Sequence, residues 1–326
     1  MLRNKCNTVE RKNQGGDGDM KKILKTVGII LLVIIALIAV GLFLLSKVPS
    51  APKDYTKTVE TGGEIETRYM NKGSYKVKHF TAEADEVLVK HLVYYPADLE
   101  SSDQKYPVIF SLNGTGIAGS KYTAVFEHFA SWGFIVLGNE DPSTGFGITA
   151  DKMYDFIVQQ NADKNSPLYD KIDFNNIGLI GHSQGGAGVF SALSIVETSD
   201  KYKTGIAFSP THEEMAHALT WMYDLEKVTV PVLMMAGTET DFETQSVIPI
   251  DKMNAMFDKL ASGVKVMARR TGADHGKMLY SANGYAAAWF MWQLQGDSDA
   301  AKAFTGNNPE LLSNPLYQDQ RIDLSE

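Results

Sequence analysis

A serine flanked by small residues carries the clearest chemical signal in this chain. Residues 181–185 read Gly-His-Ser-Gln-Gly, directly after the apolar run 177–180 and before a segment compatible with a helix. The G-x-S-x-G pattern in a strand–turn–helix context is typical of a nucleophilic serine. Glycine neighbours permit the sharp turn that exposes the hydroxyl and points the first helical N–H groups at a substrate. The pattern predicts that Ser183 attacks a carbonyl carbon.

A base and an acid follow Ser183 along the chain. The apolar run 230–236 is typical of a buried parallel strand and ends shortly before Asp241, and the strand predicted at 264–270 is followed by His275. Because parallel strands place ligand sites at their carboxyl ends, we expect the three side chains to meet. In this order His275 would accept the serine proton and Asp241 would orient the imidazole. Three nearby acids compete for the orienting role: Glu239, Glu243 and Asp274.

An acyl transfer also needs two donors for the developing oxyanion. One is the backbone N–H of the residue after the nucleophile, which is Gln184. The other is expected in the loop after the third strand, where residues 113–116 read Asn-Gly-Thr-Gly after the strand predicted at 107–112. We assign it to the backbone N–H of Thr115. The alternative is a glycine-rich loop without a catalytic part.

These motifs together resemble the α/β-hydrolase superfamily. More narrowly, the chain is similar to lidless esterases such as dienelactone hydrolases, chlorophyllase-like proteins and cutinase-like polyester hydrolases. The resemblance runs from about residue 77 to 305, and Asn113 stands where related hydrolases often have histidine. It implies a serine esterase that needs no cofactor and acts on a small-molecule or polymeric ester.

The elements that must position these residues alternate along the chain. Strands are predicted at 76–81, 86–95, 107–112, 134–138, 177–181, 204–208, 230–236 and 264–270, with helices at 121–132, 149–160, 185–197, 249–261 and 283–295. Such alternation favours an α/β fold with a mostly parallel, doubly wound, eight-stranded sheet flanked by helices. The last twenty or so residues are expected to be irregular.

The segment between the strands at 204–208 and 230–236 bears on the substrate. It is about twenty residues long, which is too short for a large mobile lid, so esters of short or medium acyl chains are favoured. Trp221 and Tyr223 lie within it and are candidates for the substrate pocket. Ordinary packing against the sheet explains both aromatic residues equally well.

One segment is not typical of a globular domain. Residues 26–45 hold no charged side chain and are rich in Ile, Leu and Val, a length that matches a hydrocarbon core of roughly 30 Å. Basic residues precede this run, so the sequence predicts a single-pass transmembrane anchor with a cytoplasmic N-terminus and an extracellular catalytic domain. A cleaved signal peptide is the alternative. The predicted organisation is a basic segment at 1–25, the anchor at 26–45, a linker at 46–75 and the hydrolase domain at 76–326.

The composition of the chain limits the classes of partner and ligand that can be expected. The formal net charge is −8 at pH 7, which argues against nucleic acid as a partner. The chain has a single cysteine, Cys6, so the predicted extracellular part has no disulfide. This pattern suits a bacterial surface protein. No spacing of ligand residues predicts a metal site.

Two alternatives to an esterase stay open at this point. A peptidase or amidase would use the same triad, and no feature of the sequence separates amide from ester cleavage. A non-catalytic binding module on the same fold would tolerate loss of the triad. Retention of all three triad residues with a plausible oxyanion loop favours the enzyme.

Overall fold

A mixed nine-stranded sheet organises residues 49–325, the part of the chain that the computed structural model describes. Its strands are β1 Val77–Glu83, β2 Lys90–Pro96, β3 Tyr106–Leu112, β4 Ile135–Asn139, β5 Ile172–His182, β6 Thr204–Phe208, β7 Val232–Gly237, β8 Lys265–Arg270 and β9 Tyr317–Asp323. Their order in the sheet is β1-β2-β4-β3-β5-β6-β7-β8-β9. Strands β3 to β8 are parallel, whereas β2 is antiparallel to both its neighbours and β9 is antiparallel to β8.

Helices cover both faces of this sheet. They are α1 Tyr55–Thr58, α2 Glu64–Met70, α3 Thr123–Ser131, α4 Ile148–Ala162, α5 Gln184–Ser194, α6 Glu213–Ala218, α7 Ile250–Lys259, α8 Met278–Ser281, α9 Asn283–Gln295, α10 Ser298–Ala301 and α11 Glu310–Ser313. A π-helical segment, Phe242–Val247, follows β7. The mixed sheet with flanking helices confirms the predicted α/β class.

The alternation of side chains along the central strands explains why the sheet has a hydrophobic core on each of its faces. In β3, Val108 and Phe110 pack in the core that α4, α5 and α7 cover, while Ile109 packs in the core that α3 and α9 cover. Successive side chains of a strand point to opposite faces, so a continuous apolar run is buried on both sides. This two-sided burial holds the carboxyl ends of the parallel strands in place.

The segment before β1 differs from the prediction of a linker at 46–75. From residue 50 onward it packs against the domain, and the side chains of Tyr55 and Tyr69 are fully buried. Tyr55 Oη donates to Nδ1 of His128, 2.7 Å away, whose other ring nitrogen donates to the backbone oxygen of Tyr69 at 2.9 Å. Aromatic burial and a satisfied polar network stabilise this segment as part of the domain.

The chain's end also differs from the prediction. Residues 317–323, expected to be irregular, form the antiparallel edge strand β9, so the sheet has nine strands rather than eight. Tyr317 is buried, and its hydroxyl donates to the Glu66 carboxylate on α2 at 2.7 Å. Partners more than 200 residues away stabilise this strand, and local sequence patterns do not report such partners.

The transmembrane prediction falls on residues 26–45, outside the described residues. Among residues 49–325, no helix has the length and apolar character needed to cross a bilayer.

Candidate active site

Ser183 lies on the turn between β5 and α5 in a conformation that non-glycine residues rarely adopt, with φ 60° and ψ −120°. A side chain held there costs of order 1–3 kcal/mol, and such strain clusters at functional sites. The backbone nevertheless makes firm contacts, because Ser183 N–H donates to Phe208 O at 2.9 Å. The structure thus places Ser183 on the sharp turn that the sequence predicts.

Two glycines make this turn possible by permitting close backbone approach. A Cβ atom on Gly181 would lie 2.1 Å from the carbonyl oxygen of Gly185, and one on Gly185 would lie 2.1 Å from that of Leu112. Neither distance is compatible with a side chain. The motif's glycines therefore allow strand, turn and helix to pack directly on β3.

His275 lies in the loop after β8, and its ring pairs with a buried acid. Its Nδ1 lies 2.6 Å from Oε2 of Glu243, whose side chain is fully buried, whereas the His275 side chain retains 18% exposure. A carboxylate at Nδ1 fixes the tautomer with a hydrogen there and leaves Nε2 free to accept a proton. His275 is thus prepared as a base.

Asp241 does not contact His275, so the prediction of Asp241 as the orienting acid is wrong in geometry. It is exposed, and its Oδ1 accepts a hydrogen bond from the side chain of Gln245 at 2.8 Å. The chain takes helical dihedral angles at Asp241, and the π-helical segment begins at the next residue. Side chains two positions apart on a helical turn do not share a face, so Glu243 points inward while Asp241 points to solvent.

Three donors hold the Glu243 carboxylate in place. Besides His275, its Oε1 accepts from Ser209 Oγ at 2.5 Å and from Gly237 N–H at 2.7 Å. Burial by itself raises the pKa of this carboxyl, but the hydrogen bonds from His275, Ser209 and Gly237 outweigh it and leave the pKa below its ordinary value. Glu243 is therefore ionised at neutral pH and favours the charged imidazolium.

The loop after β3 is held by buried hydrogen bonds. The side-chain amide of Asn113 donates to the backbone oxygens of Asn139 and Asp141 at 2.8 and 2.9 Å, and Thr144 Oγ1 donates to Asn113 O at 2.7 Å. Gly114 N–H donates to the Tyr122 hydroxyl at 3.1 Å. Asn113 therefore fixes the loop through its side chain and joins the ends of β3 and β4.

The two predicted oxyanion donors lie next to Ser183, one across the cleft wall and one along the chain. Thr115 lines the cleft beside Ser183, and Gln184 begins α5 directly after Ser183. Among the backbone hydrogen bonds of turns, loops and caps within residues 49–325, none has the N–H of Thr115 or Gln184 as donor. Two preorganised N–H groups next to a serine can stabilise a developing oxyanion.

His182 links the nucleophile turn to the base. Its Nε2 lies 2.7 Å from the backbone oxygen of His275. Since a carbonyl only accepts, Nε2 carries the hydrogen. Burial, followed by repulsion from His275, lowers the pKa of His182 to about 4, so the ring is neutral at physiological pH. The two residues are 93 positions apart along the chain, so this contact depends on the tertiary structure.

Ser183 and His275 line one cleft of about 970 Å³ whose walls are largely apolar. Trp221 lies in the wall, whereas the predicted pocket residue Tyr223 does not: it is buried, and its hydroxyl donates to Thr211 O at 3.0 Å. The prediction for Tyr223 is therefore wrong, and ordinary packing explains it. The hydrogen bonds of the described residues include none from Ser183 Oγ; in ligand-free enzymes this contact to the base is often long and tightens with substrate.

Sequence reasoning missed two contributors to this site. Ser209, directly after β6 and at φ 43°, donates to the buried acid. Ser50 lines the cleft although the segment around it was predicted to be a linker. A positive φ and a long-range contact leave no signal in a single sequence.

No group of three or more His, Cys, Asp or Glu side chains that could hold a metal ion occurs within residues 49–325.

Comparison with known proteins agrees with the geometry. A model of the family described as "PETase: PET hydrolase-like" matches residues 61–317, which is most of the chain. The search of curated proteins found no match. The family match confirms the resemblance to cutinase-like polyester hydrolases and argues against a non-catalytic module. The chain belongs to the PET hydrolase-like family of the α/β-hydrolase superfamily and is a serine carboxylic ester hydrolase.

Proposed function

We propose that this protein cleaves carboxylic esters through an acyl-enzyme formed on Ser183, with His275 as the proton carrier and Glu243 as the orienting acid. One observation carries the proposal: a fully buried carboxylate bonds the ring of His275 in the cleft that also holds a strained serine. The pairing of His275 with Glu243 in the cleft that contains Ser183 supports these roles of nucleophile, base and orienting acid.

The reaction proceeds in two displacements. Ser183 Oγ attacks the ester carbonyl while Nε2 of His275 takes its proton, and the resulting imidazolium protonates the departing alcohol. Water then attacks the acyl-enzyme with His275 again as base, which releases the acid. The ionised Glu243 stabilises the imidazolium in both steps, because its low pKa keeps the negative charge in place.

The oxyanion of each tetrahedral intermediate is held by the N–H groups of Thr115 and Gln184. The Thr115 loop is fixed by the buried side chain of Asn113, and the Gln184 N–H belongs to the first turn of α5. Donors that are already in position need no reorganisation during reaction, which is the main source of their effect on rate.

The cleft walls support an apolar acyl or alcohol group. Ile117, Leu219, Trp221, Val247 and Leu279 line it together with Met215. Between β6 and β7 the chain forms the short helix α6 and its flanks, so this segment supplies no large lid over the cleft. We infer esters of short or medium acyl chains as substrates, either small molecules or, as the family's name suggests, units of a polyester.

We further propose that residues 26–45 anchor the enzyme in the cell membrane with the catalytic domain outside. The uncharged apolar run and the basic residues that precede it support this placement. The excess of acidic residues in the rest of the chain suits a domain in the aqueous phase rather than one bound to anionic lipid.

The test is an ester series assayed with the full-length protein in detergent. We expect p-nitrophenyl esters from acetate to palmitate to be hydrolysed fastest at short or medium chain lengths, and Ser183→Ala to abolish turnover. Labelling by a fluorophosphonate should also disappear in Ser183→Ala. If wild type turns over none of these esters but cleaves p-nitroanilides, the amidase alternative replaces the proposal.

A further inference from the structure

The cleft is bordered by the first residues of the described chain. Ser50 lines it together with Ser183 and His275. The position of Ser50 is fixed, because its N–H donates to Lys121 O at 3.0 Å and the next residue, Ala51, is fully buried. The chain thus enters the catalytic domain at the substrate cleft itself.

The sequence limits how far Ser50 can lie from the predicted anchor. The apolar run ends at Leu45, and four residues separate Leu45 from Ser50. A fully extended chain spans at most about 3.5 Å per residue, so these five steps reach at most about 18 Å. This bound follows from covalent length alone and is shorter than the diameter of a small domain.

Several large apolar side chains are exposed at the border of the cleft. Leu219 and Phe242 line the cleft and are 43% and 55% exposed. Met222, next to the cleft residue Trp221, is 48% exposed. Phe146 is also exposed and adjoins Gly145, which packs directly under the Trp221 ring. We call Phe146, Leu219, Met222 and Phe242 the apolar rim.

The charges near the cleft favour contact with an electrically neutral lipid surface over contact with an anionic one. Lys277 lines the cleft, but its ammonium group is already paired with Glu239 at 3.2 Å and Asp274 at 3.3 Å. The whole chain carries a net charge of −8 despite the basic segment before the anchor. Attraction to anionic lipid is therefore weak, and contact with a membrane would depend on apolar burial.

We propose that the apolar rim contacts a zwitterionic phospholipid bilayer and that the cleft takes a neutral, apolar ester directly from that bilayer. The proposal rests on the function proposed above and names its substrate source. Only four residues separate the predicted anchor from Ser50, which favours this source of substrate, and the rim supplies the side chains that partition into the lipid. Hydrolysis releases a carboxylic acid and an alcohol by the two displacements already described.

The test uses the full-length protein reconstituted in phosphatidylcholine vesicles that carry a fluorogenic diacylglycerol analogue. The rim variant replaces Phe146 and Met222, which do not line the cleft, with serine. A tether variant inserts thirty Gly/Ser residues between Val48 and Pro49. Leu312→Ser, an exposed leucine on α11, is the matched control.

We expect wild type and Leu312→Ser to hydrolyse the vesicle ester at equal rates, and the rim and tether variants to be slower by about tenfold. All four should hydrolyse water-soluble p-nitrophenyl acetate within about twofold of one another. Equal rates on the vesicle ester for all four would overturn the proposal, as would a wild type that hydrolyses only the soluble ester.

A binding measurement separates this proposal from the catalytic one. In full-length Ser183→Ala, brominated phosphatidylcholine should quench tryptophan fluorescence, and the additional change Trp221→Phe should remove much of that quenching. If neither ester is hydrolysed but Trp221 is quenched, the proposed function fails while the lipid contact stands. Absence of Trp221 quenching refutes the lipid contact whatever the activity.

Discussion

Replacement of Glu243 by glutamine should separate the role of this residue from that of Asp241. Oε1 of Glu243 accepts from Ser209 Oγ and Gly237 N–H, so the carbonyl oxygen of the new amide must stay on that side. Its NH2 group then faces Nδ1 of His275, where two donors cannot both be satisfied. The imidazole is forced into the tautomer with the hydrogen on Nε2.

That tautomer cannot accept the Ser183 proton. The comparable exchange of acid for amide in a serine protease triad lowers kcat by about 10,000-fold, which corresponds to about 5 kcal/mol of transition-state stabilisation. We expect a loss of this size for Glu243→Gln, with KM changed little because the side chain does not line the cleft. The amide of glutamine has the shape of the carboxylate it replaces, so the variant should keep the fold. An unfolding temperature close to that of wild type would confirm this.

Asp241→Asn is the matched control. Asp241 is exposed and bonds only to Gln245 in the described structure, so we expect kcat/KM on p-nitrophenyl butyrate within about twofold of wild type. A loss of several thousandfold in Asp241→Asn, together with near-normal activity in Glu243→Gln, would refute the assignment and restore the acid predicted from the sequence.

Three further predictions concern His182, the aromatic residues Trp221 and Tyr223, and His128. His182→Leu removes the donor to the His275 backbone oxygen and should lower kcat by about tenfold or more with KM unchanged. His182→Gln keeps an N–H at similar reach and should recover most of the rate. Equal losses of kcat in the two variants would contradict a positioning role for His182. Trp221→Ala widens the cleft and should shift the acyl-chain preference in the p-nitrophenyl ester series toward longer chains. Tyr223→Phe should lower the unfolding temperature and leave that acyl-chain preference unchanged. Burial lowers the pKa of His128 to about 4, below the ordinary value of about 6.5 for an unfolded chain, so its stabilising effect is complete well above pH 6.5 and declines as the pH falls toward 4. The free energy of unfolding in urea should therefore differ between pH 7 and pH 4.5 by about 2 kcal/mol less in His128→Phe than in wild type. An identical pH dependence in the two proteins would exclude this residue as a source.

Local pattern was sufficient for the parts of the site that depend on nearby residues. The turn at Ser183 needs close approach at Gly181 and Gly185, and those requirements are written within five positions of the sequence. The loop containing His275 follows the parallel strand β8, whose carboxyl end must lie at the same sheet edge. The alternation of strands and helices along the chain likewise predicted the parallel centre of the sheet.

Choices between neighbouring residues were decided by the tertiary structure. The sequence offers Asp241 and Glu243 two positions apart, and the helical dihedral angles at Asp241 determine which side chain turns inward to meet Ser209 and His275. Tyr223 could face the cleft or the core with the same local sequence, and its hydroxyl's bond to Thr211 holds it in the core.

The two ends of the domain also depend on tertiary contacts that the local sequence does not show. Tyr55 and Tyr317 lie in segments that read as a linker and an irregular tail, yet both are buried against residues far along the chain. The sequence by itself determined the nucleophile turn, the central sheet and the order of the site's elements, because each depends on periodicity or on residues within one turn. The tertiary structure decided the orienting acid, the cleft wall and the domain's edges, because burial and hydrogen bonding between distant segments set the direction of those side chains.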